Sequence, residues 1–213
     1  MAVSISMAQE ARCLFDTALG PFGIAWNERG LVRLQLPEEG RMATEKRLGA
    51  AAGPGEPPPW AKQLIAEIRR YLAGERVDFA SVALDLAAVG EFRRAVYVAA
   101  RSVAWGQTTS YGELARRIGF PWGARAVGRA LARNPAPLIV PCHRILARDH
   151  QIGGFSAYGG TVTKRHLLAL EGVHPGGTPL LPGLAEPVPT SKSSGRDHAG
   201  LIARQEQLGH LAE

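Results

Sequence analysis

Residues 139–144 read Ile-Val-Pro-Cys-His-Arg, which places a thiol, an imidazole and a guanidinium side by side. Cys142 is the candidate nucleophile, His143 the candidate base and Arg144 an adjacent cation. A thiol with an ordinary pKa of about 8.5 is only a few per cent ionised near neutrality, so thiolate chemistry needs a neighbour that takes the proton. Most free cysteines are simply small buried hydrophobes. Adjacency alone leaves both readings open, and the rest of the chain must decide between them.

The whole chain limits the choices. Its 213 residues are enough for one large or two small domains with real cores, and hydrophobic and charged fractions of 46% and 21% are ordinary for a soluble globular protein. No apolar run is long enough to cross a bilayer, and residues 1–10 lack a secretory pattern, so a cytoplasmic protein without a membrane partner is expected. The two cysteines, Cys13 and Cys142, therefore read as reduced thiols. Neither belongs to a Cys-x-x-Cys pair and the six histidines are scattered, so no metal or other cofactor is expected.

The net charge of +6 is unevenly distributed. Residues 1–90 hold 10 cations against 11 acids, residues 91–172 hold 12 against 4, and residues 173–213 hold 3 against 4. The middle stretch is thus the basic one. Such an excess suits a polyanion, with nucleic acid the leading partner, and equally suits a solvated basic face.

Over residues 12–36 apolar alternation and the breaks at Gly20-Pro-Phe-Gly23 and Asn27-Glu-Arg-Gly30 predict antiparallel hairpins. A short charged helix is expected over 44–48, a loop over 53–59, an amphipathic helix over 60–72 and a further strand over 82–86. Nothing in residues 1–90 looks chemical, and the region reads as a scaffold.

The second region predicts a helix over 91–102 and a turn at Trp105-Gly106. A helix over 111–118 should follow, with Ser110 as N-cap and Glu113 completing a capping box. The Gly119-Phe-Pro-Trp-Gly123 break and a helix over 124–134 give the outline of a helix-turn-helix. On that last helix Arg125, Arg129 and Arg133 fall at about 0°, 40° and 80°, opposite Val127, Ala130 and Leu131. With only Ala126, Gly128 and Ala132 nearby, the stripe suits close approach to DNA with little base readout. Three solvated arginines on an outer face are the bland alternative. A final helix is expected over 163–171.

Taken together, Thr109-Ser-Tyr-Gly-Glu-Leu-Ala115, Ala124-Arg-Ala-Val-Gly128, Asn134-Pro135, Pro141-Cys-His-Arg144, Gly153-Gly-Phe-Ser156, Gly159-Gly160 and Lys164 through Leu167-Leu168 to Glu171-Gly172 resemble the methylated-DNA–protein-cysteine methyltransferases, the O6-alkylguanine-DNA alkyltransferases. Residues 12–36, with Asp16-Thr-Ala-Leu-Gly-Pro-Phe-Gly23, resemble that family's N-terminal domain more loosely. The resemblance implies an α+β chain. A small N-terminal antiparallel-sheet domain with a helix would cover 1–90, and a mainly helical domain with the helix-turn-helix and reactive cysteine 91–172. Apart from the resemblance, residues 173–213 are rich in Pro, Gly and Ser with little periodicity, which predicts a mostly disordered tail with a frayed helix at 201–211.

It further implies single-turnover repair, in which the alkyl group of O6-alkylguanine in double-stranded DNA passes to Cys142. His143 would take the thiol proton through a water, and Glu171 would orient and charge-balance the imidazole. Tyr111 would donate toward the departing guanine, and Asn134 would brace the active-site turn. Arg125 would fill the stack vacated by the flipped nucleotide, beside Ala126, Gly128, Arg129 and Arg133 on the DNA face. The backbone of Ile145 and Ser156 would contact the base edge. Pro141 and Arg144 would be structural, Pro141 stiffening the turn that presents Cys142.

The loop between Cys142 and Lys164 is two residues longer than in better-known members, so Phe155-Ser156 or Ala157-Tyr158 is to form the pocket wall. Phe155-Ser156 is favoured because its ring can stack on a base. A monomer with no obligate protein partner is expected. Rival readings are an alkyltransferase-like or helix-turn-helix DNA binder without alkyl transfer, which would respectively lack the cysteine or prefer one operator, and a Cys-His-Glu hydrolase, which would turn over.

Overall fold

The computed structural model describes residues 10–49 and 52–175. The first region is built on a four-stranded sheet. Strands β1 (Ala11–Thr17), β2 (Gly20–Asn27) and β3 (Gly30–Gln35) form the expected antiparallel hairpins. Helix α1 (Arg41–Leu48) begins three residues earlier than expected, and helix α2 (Pro59–Leu72) lays Leu64, Ile65, Ile68 and Tyr71 on the sheet-side core.

Two expectations are corrected at the sheet edges. Gly53–Pro54, expected within a loop, forms strand β4 parallel to β1, giving the order β3-β2-β1-β4. An edge position accommodates Pro54, which has no N–H to donate. The stretch 82–86 is not a strand but a single bridge, Leu31 to Leu84, because the Leu34 amide farther along the β3 edge donates at 2.9 Å to Pro135 O.

The second region contains α3 (Glu91–Arg101), the short strand β5 (Thr109–Ser110), α4 (Tyr111–Arg117), α5 (Ala124–Leu131), the parallel partner strand β6 (Ile145–Leu146) and α6 (Thr161–Leu170). Ser110 Oγ accepts from the Glu113 amide at 3.0 Å, as a cap should. The reciprocal half of the box is absent, because the Glu113 carboxylate instead takes Thr109 Oγ1 at 3.1 Å and Arg117 at 3.3 Å. Helix α5 stops at Leu131 instead of 134. Pro135 disfavours helical backbone at Asn134, whose side chain accepts the Ala136 amide.

One apolar cluster holds α3, α4, α5 and Cys142, a second joins the sheet and α2 to Ala136, Leu138, Ile139 and Leu167, and a small third one packs Ala25, Leu48 and Ala52. The segment leading to Cys142 is therefore clamped between both regions. No helix among the described residues is long and apolar enough to cross a membrane. The N-terminal nine residues and residues 176–213, including nearly all of the expected tail and its frayed helix, lie outside the described residues.

Candidate active site

Cys142 is presented by a tight turn. Pro141, at φ −77° and ψ 66°, has the conformation of an inverse γ-turn, and the Cys142 amide donates to Val140 O at 2.7 Å. A 3-10 turn over Cys142–Arg144 follows. Leu138, three residues upstream of Pro141, holds a left-handed φ of 73° while fully packed in the core, so tertiary contacts enforce the approach to the turn. Asn134 braces the same turn from the end of α5: its Nδ2 donates to Val140 O at 2.8 Å and to Cys142 Sγ at 3.2 Å.

Behind the thiol, His143 and Glu171 are both buried and 2.8 Å apart, Nε2 to Oε1. The carboxylate can only accept, so Nε2 carries the imidazole proton and Nδ1 is the lone-pair nitrogen. Nδ1 is buried without a hydrogen-bond partner. Arg144 grips Glu171 in a bidentate pair, Nε to Oε2 at 2.8 Å and Nη2 to Oε1 at 2.9 Å, and anchors itself on Val103 O at 2.6 Å. The Gly106 amide adds a longer donation to Oε2 at 3.3 Å.

The proton affinities follow from these surroundings. Burial pushes the Cys142 thiol above its ordinary value, against the opposing pull of Asn134 and Lys164. Burial lowers His143 below its ordinary value despite Glu171, so the ring is a neutral base at neutral pH. For Glu171, burial alone would raise the pKa, but the bonds from His143 and Arg144 prevail and hold it at about 2. The thiol is thus protonated, and the imidazole of the next residue is neutral and oriented by a fixed carboxylate.

A pocket of about 410 Å3 opens over Cys142, lined by Tyr111, Gly128, Leu131, Ala132, Gly154, Phe155 and Ser156. Of the two candidate walls in the long loop, Phe155 and Ser156 therefore line it, whereas Ala157 packs on the core and Tyr158 uses its carbonyl to hold Thr163. Tyr111 stands at the start of α4, its hydroxyl donating to Gly154 O at 3.4 Å. Burial, and then the charge of Cys142, raise its pKa, which keeps the hydroxyl a donor. A Cβ on Gly153 would stand 3.0 Å from the Tyr111 ring, so any larger residue there must push the ring or the loop by a few tenths of an ångström.

Arg125, Arg129 and Arg133 are exposed, and Ala126 and Gly128 half-buried. Ile145 is fully buried, its carbonyl taken by Lys164 Nζ at 2.5 Å.

Two site residues escaped the sequence reading. Lys164 on α6 is fully buried, with its ammonium 5.7 Å from the Tyr111 ring centroid, and burial lowers its pKa to about 8. Its signal was a charge on the apolar stripe shared with Leu167, Leu168 and Glu171. Tyr71, on α2, overturns the reading of residues 1–90 as pure scaffold. Its hydroxyl donates to Glu171 Oε1 at 2.8 Å and lies 3.3 Å from His143 Nε2. Helical periodicity could not single it out, because it occupies an ordinary core position.

Comparison with known proteins gives consistent results. Residues 91–173 match the family described as 6-O-methylguanine DNA methyltransferase, DNA binding domain, and residues 12–86 match 6-O-methylguanine DNA methyltransferase, ribonuclease-like domain. The methylated-DNA–protein-cysteine methyltransferase of Mycobacterium leprae is 36% identical over 160 residues, covering 73% of this chain and 88% of that protein. The protein of the same name from Methanothermobacter thermautotrophicus is 34% identical over 151 residues, covering 71% and 79%. Among solved structures, the Mycobacterium tuberculosis O6-methylguanine methyltransferase superposes with a TM-score of 0.62 at 33% identity, covering 78% of this chain and 93% of that one. The same enzyme in complex with DNA gives 0.62 at 33%, covering 76% and 92%.

Proposed function

From the premise that the chain belongs to the 6-O-methylguanine DNA methyltransferase family, we propose that Cys142 is its alkyl acceptor and that the residues around it divide the work of one irreversible transfer. The protein binds DNA and repairs it by direct damage reversal, as a methylated-DNA–protein-cysteine methyltransferase. The substrate we assign is O6-alkylguanine in duplex DNA, and the working unit a cytoplasmic monomer that needs no cofactor.

The observation that carries this reading is the thiol at the base of an open pocket, backed by a buried His–Glu pair whose geometry leaves one imidazole nitrogen unprotonated. The thiol proton passes to His143, and Glu171 balances the imidazolium. The sulfur then attacks the alkyl carbon, the carbon–O6 bond breaks, and its electron pair leaves with the guanine. Tyr111 donates toward the base as that negative charge develops. Asn134 fixes the sulfur, and Pro141 and Arg144 fix the turn and the carboxylate. Phe155 stacks on the base and Ser156 borders its edge, whereas Ile145, off the pocket lining and with its carbonyl held by Lys164, is left out of the base contacts.

A guanine inside a duplex cannot enter this pocket, so the nucleotide rotates out at a cost of a few kcal/mol. Arg125 fills the vacated stack, and Ala126 and Gly128 let α5 approach the groove, with Arg129 and Arg133 on the phosphates. Mass spectrometry after mixing with duplex DNA containing O6-methylguanine tests the proposal. One CH2 should appear on the Cys142 peptide, once per molecule; an unmodified Cys142 peptide would overturn it.

A further inference from the structure

A second depression, of about 590 Å3, lies beside the Cys142 pocket, and both regions of the chain build its walls. Arg33 of β3 and Lys46 and Arg47 of α1 stand on one side, with Arg93 of α3 and Arg133, just beyond α5, on the other. The acid on the lining is Glu38, 3.9 Å from Arg47. The walls are held in register by the bond from the Leu34 amide to Pro135 O, and Arg33 holds Arg47 O at 3.2 Å.

The groove runs into the alkyl-acceptor pocket. Ala132 and Ser156 line both, and Asn134, whose amide reaches Cys142 Sγ, lines the groove. Arg133, two residues past the end of α5 and its exposed Arg125 and Arg129, is part of the groove wall. The positive surface therefore continues from α5 past the pocket and onto the N-terminal region, which by itself carries no excess of cations.

Five cations facing one carboxylate repel one another until a counter-charge arrives. A nucleic acid strand supplies it at regular spacing, about one charge per 3.4 Å of axis, and the guanidinium fork matches phosphate oxygens. A strand with one nucleotide turned into the Cys142 pocket must leave along an adjoining surface, and this groove adjoins it. We propose that the groove binds the backbone phosphates of the lesion-bearing strand next to the extruded nucleotide, with Arg33, Lys46 and Arg47 making the N-terminal region part of the DNA interface. Recognition through charge alone makes this grip indifferent to base sequence. The inference rests on the reading that the pocket receives an extruded O6-alkylguanine.

The test uses the full chain carrying Arg33→Ser and Lys46→Ser, with affinity for a duplex containing one O6-methylguanine measured across salt concentrations. A control variant removes the same charge from α2, Lys62→Ser with Arg70→Ser. At about 0.1 M salt the groove variant should bind on the order of tenfold more weakly, and its log–log salt slope should shrink by about 0.9 for each phosphate that the protein no longer neutralises. The control should stay within about twofold, and both should react with free O6-methylguanine base at the wild-type rate. Neutral methylphosphonates flanking the lesion should weaken the wild type by a larger factor than the groove variant, which keeps only three of the five groove cations. Binding of the groove variant within twofold and with an unchanged slope, or an equal loss in the control, would overturn the proposal. A wild-type protein that leaves Cys142 unmodified would overturn the acceptor reading, and the flanking-strand assignment with it, whatever the binding data show.

Discussion

Helices α2 and α5 are both amphipathic, yet they present their functional groups on opposite faces. Helix α5 buries Val127, Ala130 and Leu131 and turns Arg125 and Arg129 to solvent, so its chemistry lies on the polar face. Helix α2 buries Ala61, Leu64, Ile68 and Tyr71, and the group that matters, the Tyr71 hydroxyl, lies on the buried face. A surface site announces itself as a break in expected composition. A buried one is a single polar atom on a side chain that otherwise packs as a hydrophobe.

The contrast extends to Glu171. From its own region the carboxylate receives His143, Arg144 and Gly106, and from the other it receives Tyr71. Its placement is a property of the interface between the two regions as much as of α6.

The largest effect is expected from Glu171→Gln. Single-turnover reaction with free O6-methylguanine should slow by roughly a hundredfold, the lower range for a lost proton relay, while Arg144 is left as an uncompensated buried charge. The same variant should change acid unfolding. Glu171 sits at about 2 when folded, below its ordinary 4.5, so its stabilisation is fully present above about 4.5 and disappears as pH falls toward 2. His143, lowered by burial, adds destabilisation beginning below about 6.5, where the unfolded chain takes up the proton first. Denaturant midpoints between pH 7 and 3 should fall in the wild type, and the limb below about 4.5 should flatten in Glu171→Gln.

Arg125→Ala probes the exposed face. Repair of duplex DNA should drop by at least about tenfold, since flipping costs a few kcal/mol, while reaction with the free base stays within about twofold. Equal losses on both substrates would show that Arg125 does not fill the vacated stack.

Tyr71→Phe probes the buried face of α2. Losing one hydrogen bond to a charged group should slow transfer about tenfold on both substrates, with duplex affinity unchanged. In the Glu171→Gln background the same change should have almost no effect, since the two act through one carboxylate. A purely packing role would instead give additive losses. The smallest effect belongs to Ser110→Ala, which should cost about 1 kcal/mol of stability through the α4 cap and leave the rate of transfer alone.

How much of this was legible in the sequence depended on the range of the interaction. The β1–β3 hairpins, the Ser110 cap, Arg125 and Arg129 on one face of α5 and the Pro141-Cys142-His143-Arg144 segment are short-range patterns, and the structure contains each of them; Arg133 falls beyond the end of α5. Where an element depended on a distant partner, the reading failed. The 82–86 strand lost its place on the β3 edge to Pro135, about fifty residues away, and β4 exists only because β1 offers an open edge to Gly53–Pro54.

The candidate site divides along the same line. Which groups can react is written in the residue order: a thiol beside an imidazole, a tyrosine at a helix start, and arginines spaced along one helix face. Residue type and local spacing carry that information without reference to the fold. The state of those groups comes from the folded surroundings. Burial raised the thiol and lowered the imidazole, and Arg144 and His143 held Glu171 ionised in the interior. Tyr71 reached that carboxylate from 100 residues away, and the clamped segment before Cys142 set the aim of the sulfur. Desolvation and hydrogen bonding act through space, so the chemistry of each group was fixed by neighbours that the linear chain does not place beside it.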